Sequence, residues 1–138
     1  MRSVSVIERV VKLAEKKELH CAVIDDDKEF LLLMESFLAK LGIHITCTDD
    51  GRDILHKHQD SPFDVLFVGW DCKKMSGKNF LDKLAKMENL PSIIIVFNEG
   101  NFSLQTKVEI KCFLFKPFGA ERIIRCLNKA LGESHGHC

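Results

Sequence analysis

Four short runs in this chain are apolar at successive positions rather than at every second one: HCAVID (20–25), DVLFVGW (64–70), SIIIVF (92–97) and CFLF (112–115). A strand with one wet face alternates, so an unalternating run needs cover on both faces. A fifth segment, Ile43–Cys47, alternates in the ordinary way. Between these runs the apolar spacing changes to the helical period. Phe30, Leu33, Met34, Phe37, Leu38 and Leu41 share one stripe, and Gly42 stands where a helix ends. A short helix fits 52–59, after the Asp50-Gly51 turn and before Pro62. Phe80, Leu81, Leu84 and Met87 mark another, and Ile123, Ile124, Leu127 and Leu131 mark the last, over roughly 119–131. A weak helical pattern of about eight residues follows the loop Asn98–Asn101. Five strands alternating with five helices predict an α/β, doubly wound parallel sheet covered on both faces.

An extra helix precedes this pattern. Ser5-Val-Ile-Glu8 reads as a capping box, and Val6, Ile7, Val10, Val11, Leu13 and Ala14 form a wide stripe. The expected organisation is an amphipathic N-terminal helix or linker over 1–19, one domain over 20–131, and a flexible tail, GESHGHC, over 132–138. The helix stripe suits packing on its own domain or pairing with a second copy through residues 4–18.

Length and composition narrow the function. With 138 residues there is room for one domain and its core. Twenty basic and 20 acidic residues cancel, which argues against nucleic acid and anionic membrane as electrostatic partners. No apolar run reaches the roughly 20 residues of a bilayer span, and the charged N-terminus is no signal peptide. The six cysteines are scattered, with no CxxC pair. They read as reduced thiols of a cytoplasmic protein, and the absence of clustered ligands argues against zinc.

In parallel sheets ligands gather at the carboxyl ends of the strands. Those ends carry Asp25-Asp26-Asp27, Gly69, Phe97 and Lys116. Here the chain resembles the receiver domains of two-component response regulators, the CheY-like family of the chemotaxis regulators. The resemblance rests on VIDDD (23–27), FDVLF (63–67) with MSG (75–77), LPSIIIVF (90–97) and FLFKPF (113–118). It implies a flavodoxin-like (βα)5 sheet of order 2-1-3-4-5. It also implies an acid pair for a divalent cation, matched by Asp25 and Asp26, and a Lys-Pro pair, matched by Lys116-Pro117, whose peptide bond is often cis.

Three positions depart from the family. The aspartate that accepts phosphate lies five residues after Asp64 and eight before Gly77, which is Gly69. The strand-four hydroxyl position is assigned to Phe97. The switch aromatic of strand five matches Phe113, without a tyrosine hydroxyl. The resemblance therefore implies a degenerate pseudo-receiver with a vestigial pocket of Asp25, Asp26, Gly69, Phe97 and Lys116. It would act without phosphorylation, through a protein partner in signal transduction, on the face of helix 4, strand 5 and helix 5 in the family's numbering. No catalysis is expected. Mg²⁺ binding at Asp25 and Asp26 should be weak or absent, because the charged ligands are few. Lys116, with Lys73 and Lys74 as further candidate countercharges, would balance the acids.

Other readings have narrower support. Asp71 is a displaced acceptor if strand three slides by two residues. Cys72, in the same loop, is a candidate redox thiol. Asp25-x-Asp27 resembles the haloacid-dehalogenase phosphatase motif, but Glu29 replaces its usual Thr or Val, and no Asp follows Asp82.

Overall fold

The computed structural model describes residues 5–98 and 104–132. Helix α1 (Val6–Lys16) leads into β1 (His20–Ile24), α2 (Lys28–Lys40), β2 (His44–Thr48), α3 (Gly51–Asp60) and β3 (Val65–Gly69). Then come α4 (Gly77–Leu84), β4 (Ser92–Phe97), β5 (Cys112–Phe115) and α5 (Ala120–Leu131).

Local chemistry sets the helix starts. Ser5 and Glu8 close a reciprocal capping box on α1, with the Glu8 N–H donating to Ser5 Oγ at 3.1 Å and the Ser5 N–H to Glu8 Oε1 at 3.0 Å. Asp27 caps α2 by accepting the N–H groups of Glu29 and Phe30. Past the end of α2, Gly42 takes a φ of +84°, a left-handed conformation that glycine adopts without steric cost.

All strand pairs are parallel, in the order β2-β1-β3-β4-β5. Strand β3 is wholly buried, and β4 nearly so. On one face, Cys21, Val23, Val65, Phe67, Ile94 and Val96 pack against α2 and α5. On the other, Ala22, Ile24, Leu66, Val68, Ile93 and Ile95 pack against α3 and α4. The unalternating runs of β1, β3 and β4 are thus explained, since successive side chains enter one core or the other; β5, at the opposite edge from β2, is only partly covered, with Phe113 exposed. Strand β2, at the edge, is only partly covered.

The α1 stripe packs on the chain's own domain. Val10 and Ala14 are buried in the first core, and α1 lies against α5. Ile7 stays 46% exposed.

Two expectations are corrected. The described residues 104–111, between β4 and β5, form no helix. Here the Thr106 hydroxyl accepts the Val108 N–H at 3.2 Å, a local bond that competes with helical pairing, and Val108 is anchored in the second core. Nor are all thiols free. Cys112 of β5 and Cys126 of α5 form a disulfide, with their Cα atoms 5.6 Å apart. The packing of α5 beside β5 brings together residues that no motif links. Cys21, Cys47 and Cys72 are free thiols. Cys138, with the rest of the expected tail after Gly132, lies outside the described residues.

Candidate functional site

The carboxyl ends of β1 and β3 frame a small cleft of about 30 Å³. Asp25, Asp26, Gly69, Trp70, Asp71, Cys72, Val96 and Asn98 line it. That is room for water rather than for a large ligand.

Asp25 continues β1. Its N–H donates to Thr48 O at 3.0 Å, so the edge strand fixes its backbone. Its carboxylate is nearly buried and has two partners on Oδ1: the Asp27 N–H at 2.9 Å and Lys116 Nζ at 3.1 Å. Lys116 follows β5 and is held there by its own N–H, which donates to Phe97 O at 2.8 Å. Its ammonium lies 4.2 Å from the centre of the Phe30 ring, a cation–π contact. A second acid, Asp27, lies 3.9 Å from the same ammonium. The peptide bond from Lys116 to Pro117 is cis.

Asp26 is exposed and accepts the Lys73 N–H at 3.0 Å. Lys73 therefore meets the acid cluster through its backbone. The Lys74 ammonium pairs with Asp49 at 3.2 Å, away from the cluster. Of the three candidate countercharges, Lys116 is the one whose ammonium pairs with the acids.

Gly69 closes β3 in a tight space. A Cβ on it would stand 2.7 Å from the Ile24 carbonyl oxygen, 2.9 Å from Cys72 Sγ and 3.2 Å from Asp25 Oδ2. The first of these is backbone and cannot swing away.

The structure separates Phe97 from this group. Gly69 pairs with Val96, and it is Val96 that lines the cleft. Side chains alternate along a strand, so Phe97 points to the opposite face. There it is 1% exposed, and its ring stacks on Phe115 at 5.1 Å and Phe113 at 6.0 Å. The strand-four position at the cleft is corrected to Val96, which offers no hydroxyl either. Pairing register, rather than the end of the apolar run, was the signal that would have found it. Phe113 sits on β5 and remains 39% exposed.

Cys72 is buried at the floor of the cleft, its thiol 3.8 Å from Ile24 O. Burial pushes this thiol up to about 12, and the charges of Asp26 and Asp25 add to the shift. It is a neutral thiol at pH 7, a poor nucleophile. Asp71 lies one residue beyond Trp70, exposed on the rim.

The model of the response regulator receiver domain family matches residues 21–128. The chain belongs to that family. This receiver is 25% identical over 117 residues to the chemotaxis protein CheY of Bacillus subtilis (strain 168), covering 81% of this chain and 98% of that protein. It is also 25% identical over 118 residues to the transcriptional regulatory protein ZraR of Escherichia coli (strain K12). That match covers 82% of this chain, which spans about a quarter of the length of that regulator, 26%. The chemotaxis response regulator CheY4 of Vibrio cholerae superposes with a TM-score of 0.72 at 23% identity, over 83% of this chain and 100% of that one. The fold is that of the CheY-like structures, and the receiver is a signalling domain of the two-component type. Among the described residues no helix is long and apolar enough to cross a membrane.

Proposed function

We propose that this is a pseudo-receiver: a non-catalytic module that docks on a protein partner without being phosphorylated. One observation carries the reading. Glycine stands where β3 delivers its last side chain to the cleft, and the Ile24 carbonyl, Cys72 and Asp25 have closed around it. Glycine has no carboxylate, so no acyl phosphate forms at that position. Val96, across from it, has no hydroxyl to meet a phosphoryl oxygen.

The donors that remain fit Mg²⁺ poorly. Asp25 Oδ1 is taken by Lys116 and by the Asp27 N–H, and Asp26 Oδ2 by the Lys73 N–H. A hard cation seeks several well-placed oxygens, and Gly69 adds no carboxylate. In this reading Lys116 does the cation's electrostatic work and holds the cleft in one state. A switch needs two states that a ligand separates. The Phe97–Phe113–Phe115 stack supports a fixed β4–β5 edge, and exposed Phe113 supports the β5–α5 side as the docking face.

The test is acetyl phosphate, and separately beryllofluoride, each with millimolar Mg²⁺. Intact mass should show no phosphoryl adduct, and amide spectra should show no shift at Asp25, Asp26 or Lys116. Gly69→Asp should not restore phosphorylation and should lose stability by about 1–3 kcal/mol, the usual cost of overpacking. A second reading, in which Asp71 accepts the phosphoryl group, has its place on the rim of the same cleft in its favour. An adduct that disappears in Asp71→Asn would establish it and end the first.

A further inference from the structure

The amino ends of the strands, opposite the cleft, hold a second group of ligating side chains. His20 opens β1 and His44 opens β2, and the parallel register places them side by side. Their rings stack at 4.8 Å with 15° between planes. Glu18, two residues before β1, brings its carboxylate to 3.9 Å from His44 Nε2. One donor atom from each of the three lies within 4.8 Å of the others.

We propose that Glu18, His20 and His44 form a site for a divalent transition-metal ion of the Zn²⁺ class. Two imidazoles and one carboxylate are the donor set such ions take, with bonds of about 2.0–2.2 Å. Donors round one tetrahedral ion then stand roughly 3.4 Å apart. The three atoms lie within 4.8 Å of one another and need to close by at most about 1.4 Å, within the reach of side-chain rotation. Imidazole nitrogen selects this class over Mg²⁺ and Ca²⁺, which prefer oxygen.

The backbone beneath is already fixed. The His20 N–H donates to Asp64 Oδ2 at 2.9 Å, and the His44 N–H to Leu19 O at 2.9 Å. Leu19 is buried, so Glu18 leaves an anchored point. The side chains that must move are the open ones: His44 is 58% and Glu18 82% exposed. Three protein ligands leave a coordination position for water. A bound ion would clip edge strand β2 to β1 and to the segment after α1.

Titration of the full chain with ZnCl₂ by calorimetry, in a buffer that does not chelate, tests the site. A variant with His135, His137 and Cys138 all changed to Ala removes the competing ligands of the tail and should still bind one ion. In that background His20→Ala and His44→Ala should each weaken binding by at least about tenfold, since loss of mere support for a ligand already costs about 10–100-fold. Glu18→Ala, at the most exposed position, should weaken binding with its circular dichroism unchanged, which covers a His variant that fails to fold. Excess Mg²⁺ should not compete. Absence of Zn²⁺ binding in the tail variant, or binding there that survives His44→Ala and Glu18→Ala, overturns the proposal.

Discussion

At the scale of the residue, the decisive pair is Lys116 with Asp25. The two side chains are 17% and 9% exposed and 3.1 Å apart, so water screens them little. Removing the lysine leaves a charge in the cleft that, among the described residues, keeps the Asp27 N–H as its hydrogen-bond partner. Breaking a buried pair costs about 3–5 kcal/mol, and the partial exposure here lowers that to about 2–3 kcal/mol for Lys116→Met. Asp25→Asn in the same chain should return much of the loss, since no unpaired charge then remains. Urea denaturation of the two single variants and the double variant would measure the coupling. Additive losses would show that the pair does not hold the cleft together.

At the scale of the element, α1 has become part of the domain. Its stripe was equally consistent with a second copy, and nothing local distinguishes the two. Val10 is wholly buried, whereas Ile7 is largely open. Val10→Ala should therefore cost about 2 kcal/mol by lost burial and cavity formation, while Ile7→Ser should change stability by under about 0.5 kcal/mol. Thermal melts of both variants at two protein concentrations would check this. A concentration-dependent melt sensitive to Ile7 would point instead to paired helices. The segment between β4 and β5 makes the converse point. Its weak helical pattern lost to a Thr106 turn and to the burial of Val108. A short helix of low propensity forms only where tertiary packing rewards it.

At the scale of the whole molecule, buried thiols couple stability to pH. Burial raises Cys72 to about 12 and Cys47 to about 11, and raises Cys21 further. Unfolded thiols release their protons near about pH 8.5. Above that pH the unfolded chain holds fewer protons than the folded one. Stability is full below about pH 8.5 and falls as pH rises toward the folded values. Urea midpoints between pH 7 and pH 10.5 should decline. Cys21→Ala with Cys72→Ala should flatten that decline, and an unchanged slope would assign it to other groups.

Much of this was written along the chain. The unalternating runs at 64–70 and 92–97 demanded cover on both faces, because side chains of period two enter two cores. That requirement, with the helical stripes between the runs, led to the parallel sheet. Asp25, Asp26, Gly69 and Lys116 were legible because each stands directly after, or at the end of, an apolar run. Other features depend on distances between elements, which no local spacing encodes. Pairing register put Val96 rather than Phe97 at the cleft. Packing chose Lys116 over Lys73 and Lys74, joined Cys112 to Cys126, and laid α1 on α5. The same register set His44 beside His20, 24 residues earlier in the chain. The sequence alone determined which residues are apolar and in what period, and so the architecture. Only the tertiary structure decided which side chains meet, because a strand shifted by one residue presents its other face.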